Sequence, residues 1–506
     1  MSTASRLIGQ AMWASGGQLV QAGVAMAGTV VLVRLLGVEA YGIYALGLLF
    51  TGFADVFVGG HTADVLVQRQ DVTRRHERAA FTVCVTLALA AFGTILATAD
   101  LAARLFDVQE LGDVLTVMAV LPLLTGLAAV PTQLLVRRTR FATLATTSGA
   151  CAVVAVGVAV ALALSGAGVW SLVGLEVTRR VLSLTVLTVA AAWRPGFTGD
   201  RGTLREVLAF AMRRVENLGL TYISQHALPR IVIAQVLGPT ALGFYAVARR
   251  LLDQMHSVLS APAAAVAFPA VSRWQGERAR LRALIASGIR LTTWVFWPAM
   301  VGLIVVAPAL VPLMLGERWT EAVPMLQLLA VGSLRVPVAS FNSTILVGCG
   351  RMRDVSLISI TSIVVAVPTL ALGVGFGLTG VAAALAFRQW ALWPLGATLV
   401  WRASGFPPWR QLAILAAAAL PSLLMAGVVL AVGAALASEE PLARSLVLVG
   451  TGLATYPLVW AACNPVAART ALRAAADLVG GDVGAARGRI AAIVGAPNAS
   501  DARGAR

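Results

Sequence analysis

The sequence predicts an all-α polytopic membrane protein of about fourteen transmembrane helices, built as two six-helix repeated lobes plus two C-terminal helices. Three observations carry this. Of 506 residues, 58% are hydrophobic and only 12% charged, far from the composition of soluble domains. The apolar segments run about 20 residues each, the length that crosses a hydrocarbon core of ~30 Å. Finally, one phrase occurs twice. Leu36-Gly37-Val38-Glu39-Ala40-Tyr41-Gly42-Ile43-Tyr44-Ala45 returns as Leu237-Gly238-Pro239-Thr240-Ala241-Leu242-Gly243-Phe244-Tyr245-Ala246, offset by 201 residues. In each copy a hydrophobic stretch ends at Leu-Gly and another begins at the Tyr, as in duplicated transporter cores.

The apolar runs, in order, lie near 11–33, 41–66, 79–99, 111–136, 141–165, 168–193, 204–237, 241–271, 283–307, 322–348, 354–374, 377–400, 411–436 and 442–463. The first is too long for a cleavable signal peptide and is studded with Gly and Gln. Span 2 carries Asp55, His61 and Asp64. Span 6 carries Glu176, Arg179 and Arg180. Span 7 carries Arg213, Arg214 and Glu216, then His226 and Arg230. Span 8 carries Arg249, Arg250, Asp253 and His256. Arg335 lies midway along span 10 and Arg388 along span 12.

Charge tests the count. All 39 basic residues are arginine, and the net charge is +16. With the N-terminus inside, one side bears 19 arginines before the tail: Arg6, Arg69, Arg74, Arg75, Arg78, Arg137, Arg138, Arg140, Arg194, Arg201, Arg205, Arg273, Arg278, Arg280, Arg282, Arg351, Arg353, Arg402 and Arg410. The other bears four, Arg34, Arg104, Arg318 and Arg444, beside acids such as Asp107, Glu317, Glu439 and Glu440. That asymmetry predicts fourteen spans with both termini cytoplasmic. The repeated phrase then joins spans 1 and 2, and again spans 7 and 8. Fainter echoes keep the register: Leu134-Leu135-Val136 before Arg140 against Ile345-Leu346-Val347 before Arg351, and Gly168-Val169-Trp170 against Gly380-Val381-Ala382. The predicted organisation is a first lobe over 1–200, a second over 201–402, two further spans over 403–463, and an Ala/Gly/Arg-rich cytoplasmic tail over 464–506.

Charges inside a membrane cost roughly 2.5–3.5 kcal/mol each at a helix centre, so they should face a partner or a wet cavity. Helical spacing predicts pairs Arg249–Asp253, Arg213–Glu216, Glu176–Arg179 and Glu176–Arg180. Arginines still outnumber acids after that pairing. A guanidinium excess suits an anionic ligand, because Arg grips phosphate oxygens bidentately and stays charged. The candidates for holding substrate are Arg213, Arg214, Arg249, Arg250, Arg335, Arg179 and Arg180, with structural ion pairing as the competing reading. The candidates for ion coupling are Asp55, Glu176, Glu216 and Asp253; for Asp55 a hydrogen-bonded helix contact is the alternative. Arginines near span ends, such as Arg230 and Arg290, can instead snorkel to head groups. Cys84, Cys151, Cys349 and Cys463 lack metal spacing and suit packing. No cofactor is expected, the arginines show no concentrated nucleic-acid-binding face, and no phosphate loop exists because the chain lacks lysine.

Several short stretches together resemble the Wzx-type polysaccharide/O-antigen flippases, the polysaccharide-transport branch of the multidrug/oligosaccharidyl-lipid/polysaccharide (MOP) exporter superfamily. In the first half these are Arg34-Leu35-Leu36-Gly37 with Tyr41-Gly42, Leu66-Val67-Gln68-Arg69, Asp71-Val72-Thr73, Ala80-Phe81 and Gly168-Val169-Trp170-Ser171-Leu172. The second half adds Leu237-Gly238 with Leu242-Gly243-Phe244-Tyr245, Phe268-Pro269-Ala270-Val271-Ser272-Arg273, Leu315-Gly316 with Trp319 and Ala322, and Gly348-Cys349-Gly350-Arg351. The stretches cover about residues 5–400 in consistent order. The resemblance implies two six-helix lobes around a polar cavity and alternating access without ATP hydrolysis. It also implies transfer of an undecaprenyl-pyrophosphate-linked oligosaccharide between leaflets of the bacterial inner membrane, with polysaccharide polymerase machinery as a partner. Where family members often carry acids late in span 7, this chain has His226-Ala227-Leu228-Pro229-Arg230. Three other classes compete: a cation-coupled drug antiporter, which would want acids to dominate; a membrane polymerase, ligase or glycosyltransferase, which would want a large outside loop; and a channel or scaffold, for which the duplication serves no purpose. The repeated phrase itself is expected to serve geometry rather than to touch substrate.

Overall fold

The computed structural model describes residues 21, 23–273, 277–436, 438–465, 468–470 and 473, with backbone only at 60–61, 213–214 and 260–273. The predicted start of span 1, Arg6 and nearly all of the tail therefore lie outside the described residues, as do the side chains of His61, Arg213, Arg214 and the Phe268–Arg273 stretch.

Among the described residues the chain is helical throughout, with no strand. The first helices are α1 (Gly23–Leu35), α2 (Val38–Val58), two short turns α3 (Gly60–Ala63) and α4 (Val65–Gln68), and α5 (Arg74–Leu105). Then come α6 (Glu110–Met118), α7 (Val120–Arg137), α8 (Phe141–Leu164), α9 (Val169–Ala191) and α10 (Arg201–Tyr222). The remainder are α11 (Leu228–Arg273), α12 (Arg278–Leu315), α13 (Ala322–Ser333), α14 (Val336–Gly348), α15 (Met352–Val374), α16 (Gly377–Ala391), α17 (Trp393–Ser404), α18 (Pro408–Ala435) and α19 (Pro441–Cys463). Nine of the helical segments are long and apolar enough to cross a membrane, and a tenth is a pair bent by 45°. One of the nine, Arg201–Leu259, runs 59 residues through both predicted spans 7 and 8. Each of the fourteen predicted segments contains helix, so the count of fourteen is compatible with the fold.

Two predicted spans are not simple rods. Span 7 contains a π turn at Ile223–Ala227, where the Leu228 N–H bonds Ile223 O, five residues back. Pro229 follows at once; it has no N–H to give Gln225 O, and a wider turn accommodates that loss. Span 10 breaks at Arg335, between α13 and α14, with Pro337 in the first turn of α14.

By contact the chain divides into two compact units: Met1–Gln254 with Ile363–Val381, and Met255–Ser362 with Ala382–Arg506. In the first, Ala79, Ala80, Phe81 and Cys84 of α5 pack with Ala129, Val130 and Leu134 of α7 and with Val207 of α10. A Cβ on Gly126 would stand 2.8 Å from Ala88 Cβ and 3.0 Å from Cys84 O. Small residues let these helices touch closely, as membrane packing favours. The second unit buries Ile285 and Ile289 of α12 with Val338 and Phe341 of α14, Val400 of α17 and Leu415 of α18. Cys84 and Cys151 are buried as packing residues should be, whereas Cys463 is exposed at the end of α19.

Arginines of the loops cap helix ends. Arg137 donates to the carbonyls of Leu66 (2.7 Å), Arg69 (2.6 Å) and Gln70 (2.7 Å), and Arg138 to Ala191 O (2.6 Å). These carbonyls lack intrahelical donors, so a cation there both bonds them and meets the negative end of the helix. At the opposite kind of end, Asp200 caps α10. Hydrogen bonds from Thr203 and the nearby Arg75 guanidinium (2.6 Å) hold its carboxyl down at about 2. With the folded value below the unfolded ~3.9, this contribution is full above about pH 4 and lost as pH falls through about 2.

The two copies of the repeated phrase pack on each other within the first unit. A Cβ on Gly42 would run into the carbonyl oxygen of Pro239 and sit 2.7 Å from its carbon. A Cβ on Gly243 would run into the carbonyl oxygen of Val38 and sit 3.0 Å from its carbon. Gly42 and Gly243 are equivalent in the repeat, as are Val38 and Pro239, so the contact is reciprocal. Between the copies' flanking spans, Gly238 turns the chain at φ 83°, a conformation that favours glycine. Alanine at Gly42 or Gly243 should lower stability by about 1–3 kcal/mol, the usual cost of overpacking. Gly37→Ala, whose Cβ would meet nothing within 4 Å, should be nearly neutral. Thermal unfolding of the purified variants checks this, and equal midpoints for all three would sink it.

Candidate functional site

Five of the charges predicted to lie inside the membrane, Asp55, Glu176, Arg179, Arg180 and Arg250, meet in the first unit. Glu176 of α9 is 8% exposed and is the hub. Tyr44 of α2 donates to its Oε1 at 3.1 Å, Arg179 bonds its Oε2 at 2.5 Å, and Arg180 Nε lies 3.8 Å from the same oxygen. Arg250, on α11, faces Tyr44, Tyr41 and Glu176. Helical geometry explains the convergence: Tyr41 and Tyr44 share one face of α2, and Glu176, Arg179 and Arg180 share one face of α9.

Arg180 has a second commitment. Its two terminal nitrogens clamp Asp55 at 2.9 and 2.7 Å, and Nη1 also bonds the Thr125 hydroxyl and Leu121 O (3.3 Å). The clamp ties α9 to α2 and α7. Arg249 pairs with Asp253 one turn on, at 2.9 Å. The predicted same-helix pairs of Glu176 and of Arg249 thus form. Arg213–Glu216 cannot be scored, since the Arg213 side chain lies outside the described residues; Glu216 is exposed.

The charges do not balance around Glu176. Arg179, Arg180 and Arg250 face two carboxylates, Glu176 and Asp55. The Arg179 side chain is 45% exposed while Arg180 is 15% exposed, so the Arg179–Glu176 pair is reachable and the clamp is not. Among the described residues no cluster of His, Cys, Asp and Glu has metal-binding geometry.

The second unit holds a different arrangement. Arg335 stands at the break between α13 and α14, donates to Gln389 Oε1 at 2.8 Å, and keeps its Nε buried with no hydrogen-bond partner. Arg388 is 1% exposed and close enough for its charge to act on Arg335. The sequence placed Arg335 midway along a continuous span; it lies instead at a break, beside the N-terminus of α14.

Sequence reasoning missed two participants and one pairing. Tyr44 belongs to the repeated phrase and was expected only to serve geometry, yet its hydroxyl bonds Glu176. Thr125 gave no signal, being one hydroxyl in an apolar run. Asp55–Arg180 joins residues 125 apart in sequence, and no local spacing reveals such a pair. A cavity of about 620 Å³ also lies in the first unit, between Phe50, Phe53 and Phe57 of α2, the α5 face at Thr94, and the π turn at Ile223 and Ala227. Its nearly all-apolar wall makes it no place for a sugar.

This many-helix membrane fold is shared with solved transporters of the MOP superfamily. A solved lipid II flippase MurJ in an inward closed conformation matches at TM-score 0.71 and 12% identity, over 90% of this chain and 98% of that one. An inward-facing multidrug resistance MATE family transporter of the MOP superfamily matches at TM-score 0.59 and 18% identity, over 80% and 98%. The model of the polysaccharide biosynthesis protein family matches residues 31–324, and the chain belongs to that family. The succinoglycan biosynthesis transport protein ExoT of Rhizobium meliloti (strain 1021) is 27% identical over 62% of this chain and 63% of its own. The teichuronic acid biosynthesis protein TuaB of Bacillus subtilis (strain 168) is 25% identical over 60% and 62%. The lipopolysaccharide biosynthesis protein WzxC of Escherichia coli (strain K12) is 21% identical over 70% and 72%. The first two matches span less than two thirds of those relatives' lengths.

The clamp generates a prediction. Arg180→Gln leaves the Asp55 carboxylate without its counterion and should cost about 3 kcal/mol, as broken buried pairs do. Asp55→Asn with Arg180→Gln should restore most of the loss. A double-mutant cycle on thermal stability measures the coupling, and strictly additive losses would show that none exists.

Proposed function

We propose that the protein is a flippase moving an undecaprenyl-pyrophosphate-linked oligosaccharide across the bacterial inner membrane by alternating access, for assembly of O-antigen, capsule or exopolysaccharide. Both termini are then cytoplasmic, the polymerase machinery of the same pathway receives the product, and the chain itself performs no catalysis. Family membership and the names of the relatives support the reading. The observation that carries it is the guanidinium surplus around Glu176.

Arg179 and Arg250 are the foremost residues for the pyrophosphate. Arg179 is half-exposed and holds one carboxylate oxygen, while Arg250 faces tyrosines and shares Glu176 rather than owning a carboxylate. A pyrophosphate offers each a bidentate acceptor. Arg335 is the candidate in the second unit: its Nε is unpartnered, its hydrogen-bond acceptor Gln389 is neutral, and the N-terminus of α14 adds positive potential. Arg180 and Arg249 serve the frame through Asp55 and Asp253. Arg213 and Arg214 remain candidates by position. Among the coupling candidates, Glu176, Asp55 and Asp253 already hold arginines, and Glu216 is exposed. That acid–arginine pairing disfavours the cation-coupled drug antiporter, whose cationic substrates need available carboxylates. Substrate drives the change between states only through differential affinity for them.

Arg179→Ala, Arg250→Ala and Arg335→Ala should each lower surface-polysaccharide export about tenfold, the effect of losing one charge-assisted phosphate contact, while the protein still reaches the membrane. Deleting the gene should leave completed lipid-linked oligosaccharide on the cytoplasmic leaflet. Unchanged lipid carriers together with altered drug sensitivity would reject the flippase in favour of the antiporter.

A further inference from the structure

The second unit contains a polar cavity that the transport reading does not use. It measures about 470 Å³ and lies where α12, α18 and the end of α19 meet, with Arg290, Trp294, Arg410 and Asn464 on its wall and Ala413 and Ile414 below them. The sequence fixes its depth. Arg290 directly precedes the uncharged run 291–315, Arg410 directly precedes the uncharged run 411–436, and Asn464 directly follows the uncharged run that ends α19. The three polar residues therefore stand at the same end of three membrane-crossing stretches, at the level of lipid head groups. Helix length agrees: the 38 residues of α12 span about 57 Å at 1.5 Å each, well beyond a ~30 Å hydrocarbon core. Trp294 and Trp460, packed edge to face at 5.1 Å, occupy the depth that tryptophan prefers.

One arginine at a helix end is ordinary snorkelling. Here two arginines from different helices line one cavity, and no carboxylate among the described residues pairs with either. Other arginines of the same unit do find acids: Arg280 holds Glu277 at 2.9 Å and Arg351 holds Asp354 at 2.5 Å. The indole Nε1 of Trp294 is buried with no hydrogen-bond partner, while its carbonyl accepts from the Tyr456 hydroxyl at 2.7 Å. Asn464, also on the cavity wall, donates its Nδ2 to Trp460 O at 3.2 Å.

We infer that this cavity binds the head-group phosphate of an anionic glycerophospholipid, with Arg290 and Arg410 on the phosphate oxygens and the acyl chains following the Ala413–Ile414 wall into the bilayer. Two guanidinium groups match a phosphate's oxygens, and an acyl chain needs the apolar floor that a free anion does not. The site joins α18 and α19, which lie beyond the duplicated spans, to α12, so bound lipid steadies that junction. The inference is independent of what the protein transports.

The test uses the purified full-length chain in neutral detergent, with phosphatidylglycerol, phosphatidylcholine or inorganic phosphate added, read by native mass spectrometry and thermal unfolding. Phosphatidylglycerol should be retained and should raise the unfolding temperature. Arg290→Gln and Arg410→Gln, made singly, should each weaken its binding roughly fivefold, the worth of one arginine at an anionic lipid surface. The double variant should lose about 25-fold, with an unchanged midpoint in lipid-free detergent. Wild-type affinity in both single variants overturns the site. Equal affinity for phosphatidylcholine overturns the preference for an anionic head group, and equal affinity for inorganic phosphate overturns the lipid. Displacement of phosphatidylglycerol by undecaprenyl pyrophosphate at equal concentration reassigns the cavity to the carrier and overturns the inference as well.

Discussion

The first unit depends on one backbone contact made twice. Gly42 lies against the Pro239 carbonyl and Gly243 against the Val38 carbonyl, and each glycine is the repeat equivalent of the other. Without a hydrophobic force to gather helices in lipid, close backbone approach supplies the packing energy, and only glycine permits approach at this range. The contact also fixes a register. Tyr44 lies two residues beyond Gly42, and Arg250 two turns beyond Gly243, so docking the phrases sets Tyr44 and Arg250 facing each other beside Glu176. The repeated phrase makes the frame, and the frame aims the charges.

Those charges obey the second constraint, that an ion in low dielectric must be compensated. Asp55 shows full compensation, with both oxygens on Arg180. Such an acid is poorly placed to coordinate a travelling cation, because its oxygens are already taken. Glu176 is more divided: it accepts from Tyr44 and Arg179 and lies near Arg180 and Arg250. A carboxylate shared among three cations and a phenol leaves positive potential around it. An arriving phosphate would relieve repulsion among the arginines rather than compete for a settled pair.

The helices and their order were legible because hydrophobic length is a local property of the chain. The same-helix pairs Arg249–Asp253 and Glu176–Arg179 were legible for the same reason, since spacing of three or four residues fixes neighbours. Asp55–Arg180 and Tyr44–Glu176 were not, because nothing local encodes which faces of α2 and α9 meet. The break at Arg335 was legible in part: Pro337 stands two residues on, yet proline at such a distance also fits a continuous span. Pro229 likewise hid the π turn, which leaves no compositional trace beyond the proline itself.

Composition treats all 39 arginines alike; their partners separate them. Arg137 and Arg138 hold helix carbonyls, and their charge is used up in ending helices. Arg180 and Arg249 hold carboxylates, which neutralise them. Arg250, Arg335, Arg290 and Arg410 have no carboxylate of their own among the described residues. A cation kept in or beside a membrane without a counterion is a standing cost of a few kcal/mol. Fold stability gains nothing from it, since an apolar residue of like size would pack there more cheaply. The cost is offset only when an anion arrives. The positions where these guanidinium groups are left over are therefore the ones we propose for phosphate.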